Sequence, residues 1–381
     1  MSSFPRRLRL SLVLLCALPA ALACRPAAAM SEEHLRAALA GCLNSAELGN
    51  ATTSCLVIDL ADGHAIYSAR ADRPRIPASN VKLFVSATAV ELFGPTFTYG
   101  TCVWSEAEPD EGMVQGDLVL QGYADPLATG AIYAELVRQL KLKGVRTVRG
   151  DVVATGPVLV EDHDGGQQAA QRLHEALVAG GVTVRGRVRT AELAEAPVLL
   201  ARHTTLPLAE YLRDINKESV NVEADRLLGS LLGCFGNPAA PDPRLVLAYW
   251  ARQGQAVEGM RLVDGSGFSH ENRLSAALLV AVLRRCASTP AEYQALSHSF
   301  PIAGEDGTLS ARMQGTAAEG KVRAKTGTLT GVSCLSGYVE AGGNPRLAFS
   351  VLMNDLSCSE EVARHVQDEM AAEMASYAEG S

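Results

Sequence analysis

The chain has 381 residues and 40.2 kDa, 48% of it hydrophobic and 20% charged. That is enough apolar material for a large core in one or two packed domains, and it excludes a disordered chain or a small stapled scaffold. With 34 basic against 42 acidic residues the net charge is −8, so no nucleic-acid partner is expected, and an aromatic content of 5% is too low for a sugar- or base-stacking surface.

Arg6, Arg7 and Arg9 precede an apolar run from Leu10 to Ala23 and then small residues, the layout of a secretory signal peptide over residues 1–29. The run falls short of the ~20 apolar residues of a membrane span, so no integral span is expected once it is removed. Ala21-Leu22-Ala23-Cys24 resembles a bacterial lipobox with its leucine one position off, which makes Cys24 a candidate lipid anchor. A periplasmic or secreted protein is therefore expected, and exported thiols tend to pair. Setting aside Cys16 and Cys24 leaves seven of the nine cysteines, an odd number with undetermined connectivity; buried free thiols are the alternative.

Along the mature chain, residues 33–48 have helical periodicity, and 54–60 with 65–69 read as a hairpin around Ala61-Asp62-Gly63. Pro77 introduces a helix over 79–92 that Gly94-Pro95 stops. Strands at 98–103, 117–121 and 148–154 and a helix at 131–143 give the next stretch an α/β texture. A Gly- and acid-rich break at 156–166 precedes a helix at 168–179 and a strand at 182–188. Helices dominate from 208 to 296, and strands at 322–325, 333–340 and 346–353 lead to a final helix at 360–377. Strands at both ends predict one sheet built from the two termini; no internal repeat is evident.

Basic residues divide into 28 Arg and only six Lys, namely Lys82, Lys141, Lys143, Lys217, Lys321 and Lys325. Arginine stays protonated, whereas a desolvated lysine can act as a base. Three short motifs use two of these lysines: Ser79-Asn80-Val81-Lys82, Ser219-Val220-Asn221 and Lys325-Thr326-Gly327. At i and i+3 of a helix, Ser79 and Lys82 share a face, so a desolvated amine can take the hydroxyl proton. Ser219 can relay that proton to a leaving amine, and the Asn221 amide can hold Lys82 and a substrate carbonyl. Lys325 adds positive potential for a terminal carboxylate, aided by Thr326 and Thr328, while Gly327 lets a substrate backbone lie close to the strand. The backbone N–H groups of Ser79 and Thr328 would receive an oxyanion. Each motif alone has an ordinary structural reading, a helix start, a cap or a strand end; in this order they point jointly to a serine nucleophile.

The three motifs resemble those of the serine penicillin-recognising enzymes. The flanking runs at 122–126 (GYADP), 215–221 (INKESVN), 264–269 (DGSGFS), 272–275 (NRLS), 304–309 (GEDGTL) and 325–332 (KTGTLTGV) are similar to the low-molecular-mass class C penicillin-binding proteins, which are D-alanyl-D-alanine carboxypeptidases and endopeptidases. Two departures stand out: a large nested insertion common in that family is much shortened here, the matching text jumping from 150–153 to 168–181, and His270 stands where relatives commonly carry Arg.

Other motifs carry less. Residues 315–321 mimic the start of a phosphate loop, but Val322 replaces the magnesium-binding Ser or Thr. No histidine spacing suggests zinc, so neither metal nor cofactor is expected. Asp264 and Asp306 read as turn-forming carboxylates, and residues 161–164 as a solvated acidic loop.

The resemblance implies an α+β fold, a β-lactamase/DD-transpeptidase-like domain over 30–96 and 190–381 with an antiparallel sheet flanked by helices, and a reduced α/β subdomain inserted at 97–189. It implies a serine-type D-Ala-D-Ala carboxypeptidase or endopeptidase with Ser79, Lys82, Ser219, Asn221 and Lys325 as catalytic residues and Thr326, Gly327 and Thr328 on the substrate. Its partners would be peptidoglycan stem peptides ending in D-Ala-D-Ala and, as inhibitors, β-lactams. The alternatives are a non-catalytic cell-wall-binding relative and a β-lactamase; no Glu-x-x-x-Asn deacylation loop supports the latter.

Overall fold

The first element among the described residues is helix α1 (Glu32–Leu43), whose start is fixed by Ser31 accepting a hydrogen bond from the His34 N–H and by Glu32 and Glu33 in the first turn. Residues 30–122, 125–126, 130–156, 158, 166–191, 196–235 and 242–380 are described by this computed structural model. The signal segment with Cys16 and Cys24, residues 123–124 of the GYADP run and most of the break at 156–166 lie outside the described residues. Strands β1 (Thr52–Asp59) and β2 (Ala65–Ala69) form the expected hairpin. Helix α2 (Asn80–Phe93) follows and is buried continuously from Asn80 to Val90, the signature of a helix packed on all sides.

The second unit contains β3 (Gly100–Ser105), β4 (Met113–Val114), β5 (Leu118–Gln121), α3 (Ala131–Leu142), β6 (Thr147–Val148), β7 (Val152–Thr155), α4 (Gln167–Ala179), β8 (Thr183–Val184), β9 (Val188–Ala191) and β10 (Val198–Thr204). It corrects two expectations. A repeat is present: β4-β5, β6-β7 and β8-β9 are each a strand pair broken at a glycine, and equivalent strands pair in parallel. The expected single strands at 148–154 and 182–188 break at Gly150 and Gly186. A Cβ on Gly150 would lie 2.4 Å from the Gly116 carbonyl, and one on Gly186 2.1 Å from the Gly150 oxygen, so the three glycines stack. The repeat is also written in the sequence: Thr-Val-Arg-Gly recurs at 147–150 and 183–186, Gly-Val at 144–145 and 181–182, and Gly-Asp at 116–117 and 150–151, while the first copy, Met-Val-Gln-Gly at 113–116, has diverged. Carboxylates tie the tiers together: Asp117 accepts from the Asp151 N–H (2.7 Å), Asp151 from the Arg187 N–H (2.8 Å), and the Arg189 guanidinium spans both carboxylates. The unit also extends beyond the expected limit at 189, because β10 returns to pair antiparallel with β3 as an edge strand.

The rest of the chain is α5 (Leu208–Lys217), α6 (Asn221–Phe235), α7 (Arg244–Arg252), α8 (Ala276–Cys286), α9 (Pro290–Ser297), β11 (Val322–Leu329), β12 (Val332–Ala341), β13 (Asn344–Asn354) and α10 (Glu360–Gly380). The main sheet has the order β11-β12-β13-β1-β2, antiparallel throughout and built from both termini. Alternation along β13 separates two cores. Leu347, Phe349, Val351 and Met353 face α1 and α10 with Met370 and Met374, whereas Ala348 and Leu352 face α2 and α8 with Phe84 and Leu279. The inserted unit has its own core around Leu120, Leu136, Val152 and Leu173.

Cys42, Cys55, Cys102, Cys286, Cys334 and Cys358 are free thiols, so the expected pairing is absent among the described residues. The main sheet separates Cys55 from Cys286 and Cys334, all three buried as small apolar side chains.

Candidate active site

Ser79 stands at the N-terminal end of α2 with φ −65° and ψ 1°. The segment before it is held unusually tightly. Ala78 adopts a left-handed φ of 47°, costly for a residue with a Cβ, and three elements hold it there. At the end of β13, Asn354 accepts from the Ile76 N–H (2.7 Å) and donates to the Ile76 carbonyl (3.0 Å). From the loop at 264–269, Gly267 approaches so closely that a Cβ would fall 1.9 Å from the Ala78 oxygen. From β11, a Cβ on Gly327 would lie 2.7 Å from Asn80 Nδ2 and 2.8 Å from the Pro77 oxygen. Gly327 was expected to make room for substrate; its closest neighbours are the protein's own residues around Ser79.

Lys82, one helical turn on, is fully buried. Its Nζ lies 3.2 Å from Ser79 Oγ, 2.7 Å from Asn221 Oδ1 and 2.6 Å from the Ser266 carbonyl oxygen. Burial lowers its pKa to about 8, with Asp225 and Asp264 pulling in the opposite direction. Lys325 on β11 is also fully buried and donates to the Thr326 carbonyl (3.0 Å). Burial, with the charge of Lys82 adding to it, holds the Lys325 pKa well below the ordinary lysine value. A buried amine at the Ser79 hydroxyl, with a second buried lysine on β11 close enough to feel its charge, makes a site suited to nucleophilic catalysis on a substrate that brings a negative charge.

The flanking runs form the frame. In 215–221, Ile215 enters the core, Asn216 Nδ2 donates to Ser86 Oγ of α2 (3.0 Å) and Ser299 Oγ (2.9 Å), and Lys217 pairs with Asp306. Asp306 also accepts from the Ile302 N–H (2.8 Å), and Thr308 is hydrogen-bonded to Thr326 (2.7 Å). Asp264 and Asp306 thus shape turns, as expected of them. Ser219 occupies the turn between α5 and α6 with a left-handed φ of 57°; its hydroxyl makes no hydrogen bond among the described residues. Thr328 is exposed. The structure therefore joins Ser79, Lys82 and Asn221 by direct contact, places Lys325 and Thr326 beside them on β11, and leaves Ser219 unbonded. Sequence reasoning missed the Ser266 carbonyl and Asn354: a backbone carbonyl carries no residue-type signal, and Asn354 is distant in sequence from the segment it clamps. No group of three or more metal-binding side chains occurs among the described residues.

The chain matches the D-Ala-D-Ala carboxypeptidase 3 (S13) family over residues 35–164 and 154–377. The two segments meet at 154–164, where the sequence reading placed the shortened insertion. It is 31% identical to the D-alanyl-D-alanine carboxypeptidase of Actinomadura sp. (strain R39) over 463 aligned residues, covering 91% of this chain and 85% of the relative. That alignment is longer than the chain itself, so it spans residues of the relative that this chain lacks. Among solved structures, penicillin binding protein 4 of Haemophilus influenzae superposes with a TM-score of 0.65 at 20% identity, over 90% of this chain and 98% of that one. A predatory endopeptidase of Bdellovibrio bacteriovorus gives 0.55 at 18% identity, over 85% and 93%. With the family matched along nearly the whole described chain, and with the sheet and helices of these structures, the protein belongs to the D-Ala-D-Ala carboxypeptidase 3 (S13) family, peptidases of the low-molecular-mass class C penicillin-binding type.

Proposed function

We propose that the chain is an extracytoplasmic serine DD-peptidase of the peptidoglycan, exported by the signal peptide at 1–29, that acts through an acyl-enzyme on Ser79. The observation that carries this reading is the set of three partners around Lys82 Nζ. A neutral amine has two N–H groups and one lone pair. Asn221 Oδ1 and the Ser266 carbonyl can only accept, so they take the two N–H groups and leave the lone pair directed at the Ser79 hydroxyl. Lys82 then removes that proton as Oγ attacks the carbonyl carbon between two D-alanines. The oxyanion is received by the N–H groups of Ser79 and Thr328, and the free terminal carboxylate by Lys325, whose burial makes an anionic partner favourable, with Thr326 and Thr328 beside it. As the C–N bond breaks, the proton held by Lys82 passes through Ser219 to the leaving D-Ala nitrogen, and water then hydrolyses the Ser79 ester to release the shortened stem peptide. Cleavage of a D-Ala-to-diamino-acid cross-link uses the same bonds and the same groups.

A β-lactam acylates the same hydroxyl, and its ring-opened amine stays tethered to the acyl group. Intact mass of the mature chain with benzylpenicillin tests the reading. A persistent gain of one drug molecule, absent from Ser79→Ala, is the expected result. Rapid loss of the adduct with drug hydrolysis would indicate a β-lactamase, and no adduct on a folded protein would indicate a non-catalytic relative; either outcome overturns the proposal.

A further inference from the structure

The role given to Lys82 requires the Ser266 carbonyl to stay where it is, and a carbonyl has no side chain to anchor it. We propose that Asp225 is a positioning residue for Lys82, acting through the backbone of the loop at 264–269, with Asp264 as its counterpart on the other side of that loop. The inference rests on the reading of Lys82 as the base.

Asp225 lies on α6 one turn beyond Asn221, so both side chains project from one helix face. Its Oδ1 accepts from the N–H of Gly265 (2.8 Å) and of Ser266 (2.9 Å). The loop is seated directly on this helix: a Cβ on Gly265 would fall 2.3 Å from the Ala224 oxygen and 2.9 Å from the Leu228 side chain. Asp264 holds the following peptides, its Oδ1 accepting from the Gly267 N–H (2.6 Å) and Asn272 Nδ2 (3.0 Å), and its Oδ2 from the Ser269 N–H (2.7 Å). The Gly267 N–H shares a peptide plane with the Ser266 carbonyl, so anchoring one aims the other. Asp225 fixes the two peptides before that plane and Asp264 fixes the plane itself; the carbonyl emerges on the opposite side, at 2.6 Å from Lys82 Nζ. Helix α6 thereby supplies both acceptors of the amine, Asn221 directly and Ser266 through Asp225.

The charge of the pair has a second consequence. The charged groups acting on Lys82 and its neighbour on β11 are Asp225, Asp264 and Lys325. The two carboxylates stabilise the ammonium form against the loss of solvation, so removing one favours the neutral amine.

The test is the rate of benzylpenicillin acylation by the full mature chain from pH 6 to 10, for wild type, Asp225→Ala and Asp225→Asn. Asp225→Ala frees the two peptides, and a misplacement of this kind near the reacting atoms slows acylation by roughly 10- to 100-fold. Asp225→Asn keeps an oxygen able to accept from both N–H groups, so it restores most of the rate at high pH, while its acid limb moves to lower pH because the charge is gone. Because it preserves the hydrogen bonds, it also guards against misreading a folding defect in the alanine variant. The proposal is overturned if Asp225→Ala acylates at the wild-type rate, if Asp225→Asn is as slow as Asp225→Ala, or if the limb of Asp225→Asn does not move. A wild-type chain that forms no adduct would instead sink the reading of Ser79 and Lys82, and this inference with it.

Discussion

Replacing Gly327 by alanine separates two explanations of the Lys-Thr-Gly motif. If the glycine exists only to admit a substrate backbone, the free protein should tolerate a methyl group there. In the structure that methyl would meet Asn80 Nδ2 at 2.7 Å, the Pro77 oxygen at 2.8 Å and the Ala78 Cβ at 3.1 Å. Asn80 Nδ2 ends a side chain, but the other two atoms belong to the clamped segment before Ser79, which Asn354 and Gly267 prevent from retreating. Either β11 or the start of α2 must move, at about 1–3 kcal/mol for overpacking of this kind. Thermal unfolding of the free protein should shift down by roughly 2–4 °C per kcal/mol. Acylation by benzylpenicillin should fall by roughly 10- to 100-fold, since the segment that moves carries Ser79, the proposed nucleophile. Differential scanning calorimetry and stopped-flow acylation on the same preparation measure both. A Gly327→Ala protein that unfolds at the wild-type temperature and loses only affinity for the β-lactam would refute the packing argument and restore substrate approach as the reason for the glycine.

Other expectations follow from the same contacts. Because Lys82 must be neutral to accept the Ser79 proton and its pKa is lowered to about 8, acylation of the wild-type protein should rise about tenfold per pH unit below that value and level off above it; a rate still climbing at pH 10 would show that the amine is not desolvated. Asn354→Ala removes both bonds to Ile76 and should cost roughly 1–3 kcal/mol while slowing acylation, and wild-type values in a denaturant titration and in kinetics would contradict the clamp. Asp151→Ala breaks the carboxylate ladder of the inserted unit. Hydrogen exchange should quicken at Arg187 and Arg189 with the acylation rate unchanged, and uniform protection across the three tiers would argue against the ladder.

What could be read from the chain were features carried by local spacing. Ser79 and Lys82 share a face because a helix repeats every 3.6 residues, and the strand pattern at both termini already implied a sheet with a long excursion between its halves. Tyr67, Phe349 and Leu352 take their faces from simple alternation. The scarcity of lysine singled out Lys82 and Lys325 before any geometry was known. The repeat of the inserted unit was legible in Thr-Val-Arg-Gly at 147–150 and 183–186 and escaped because the first copy, Met-Val-Gln-Gly at 113–116, has diverged; that Gly116, Gly150 and Gly186 matter through backbone atoms stacking across tiers shows only in the fold. The limit of that unit was misplaced because β10 belongs by sequence to the helical half and joins β3 only through hydrogen bonds formed in the folded chain. Residue types at helical spacing were enough to point to Ser79 and Lys82 as the proposed nucleophile and base, and the motifs together to the peptidase family. What surrounds Lys82 and Ser79 is visible only in the folded chain: the Ser266 carbonyl, the carboxylates of Asp225 and Asp264 and the Asn354 clamp meet through backbone groups brought together from distant segments, and backbone groups are the same in every residue.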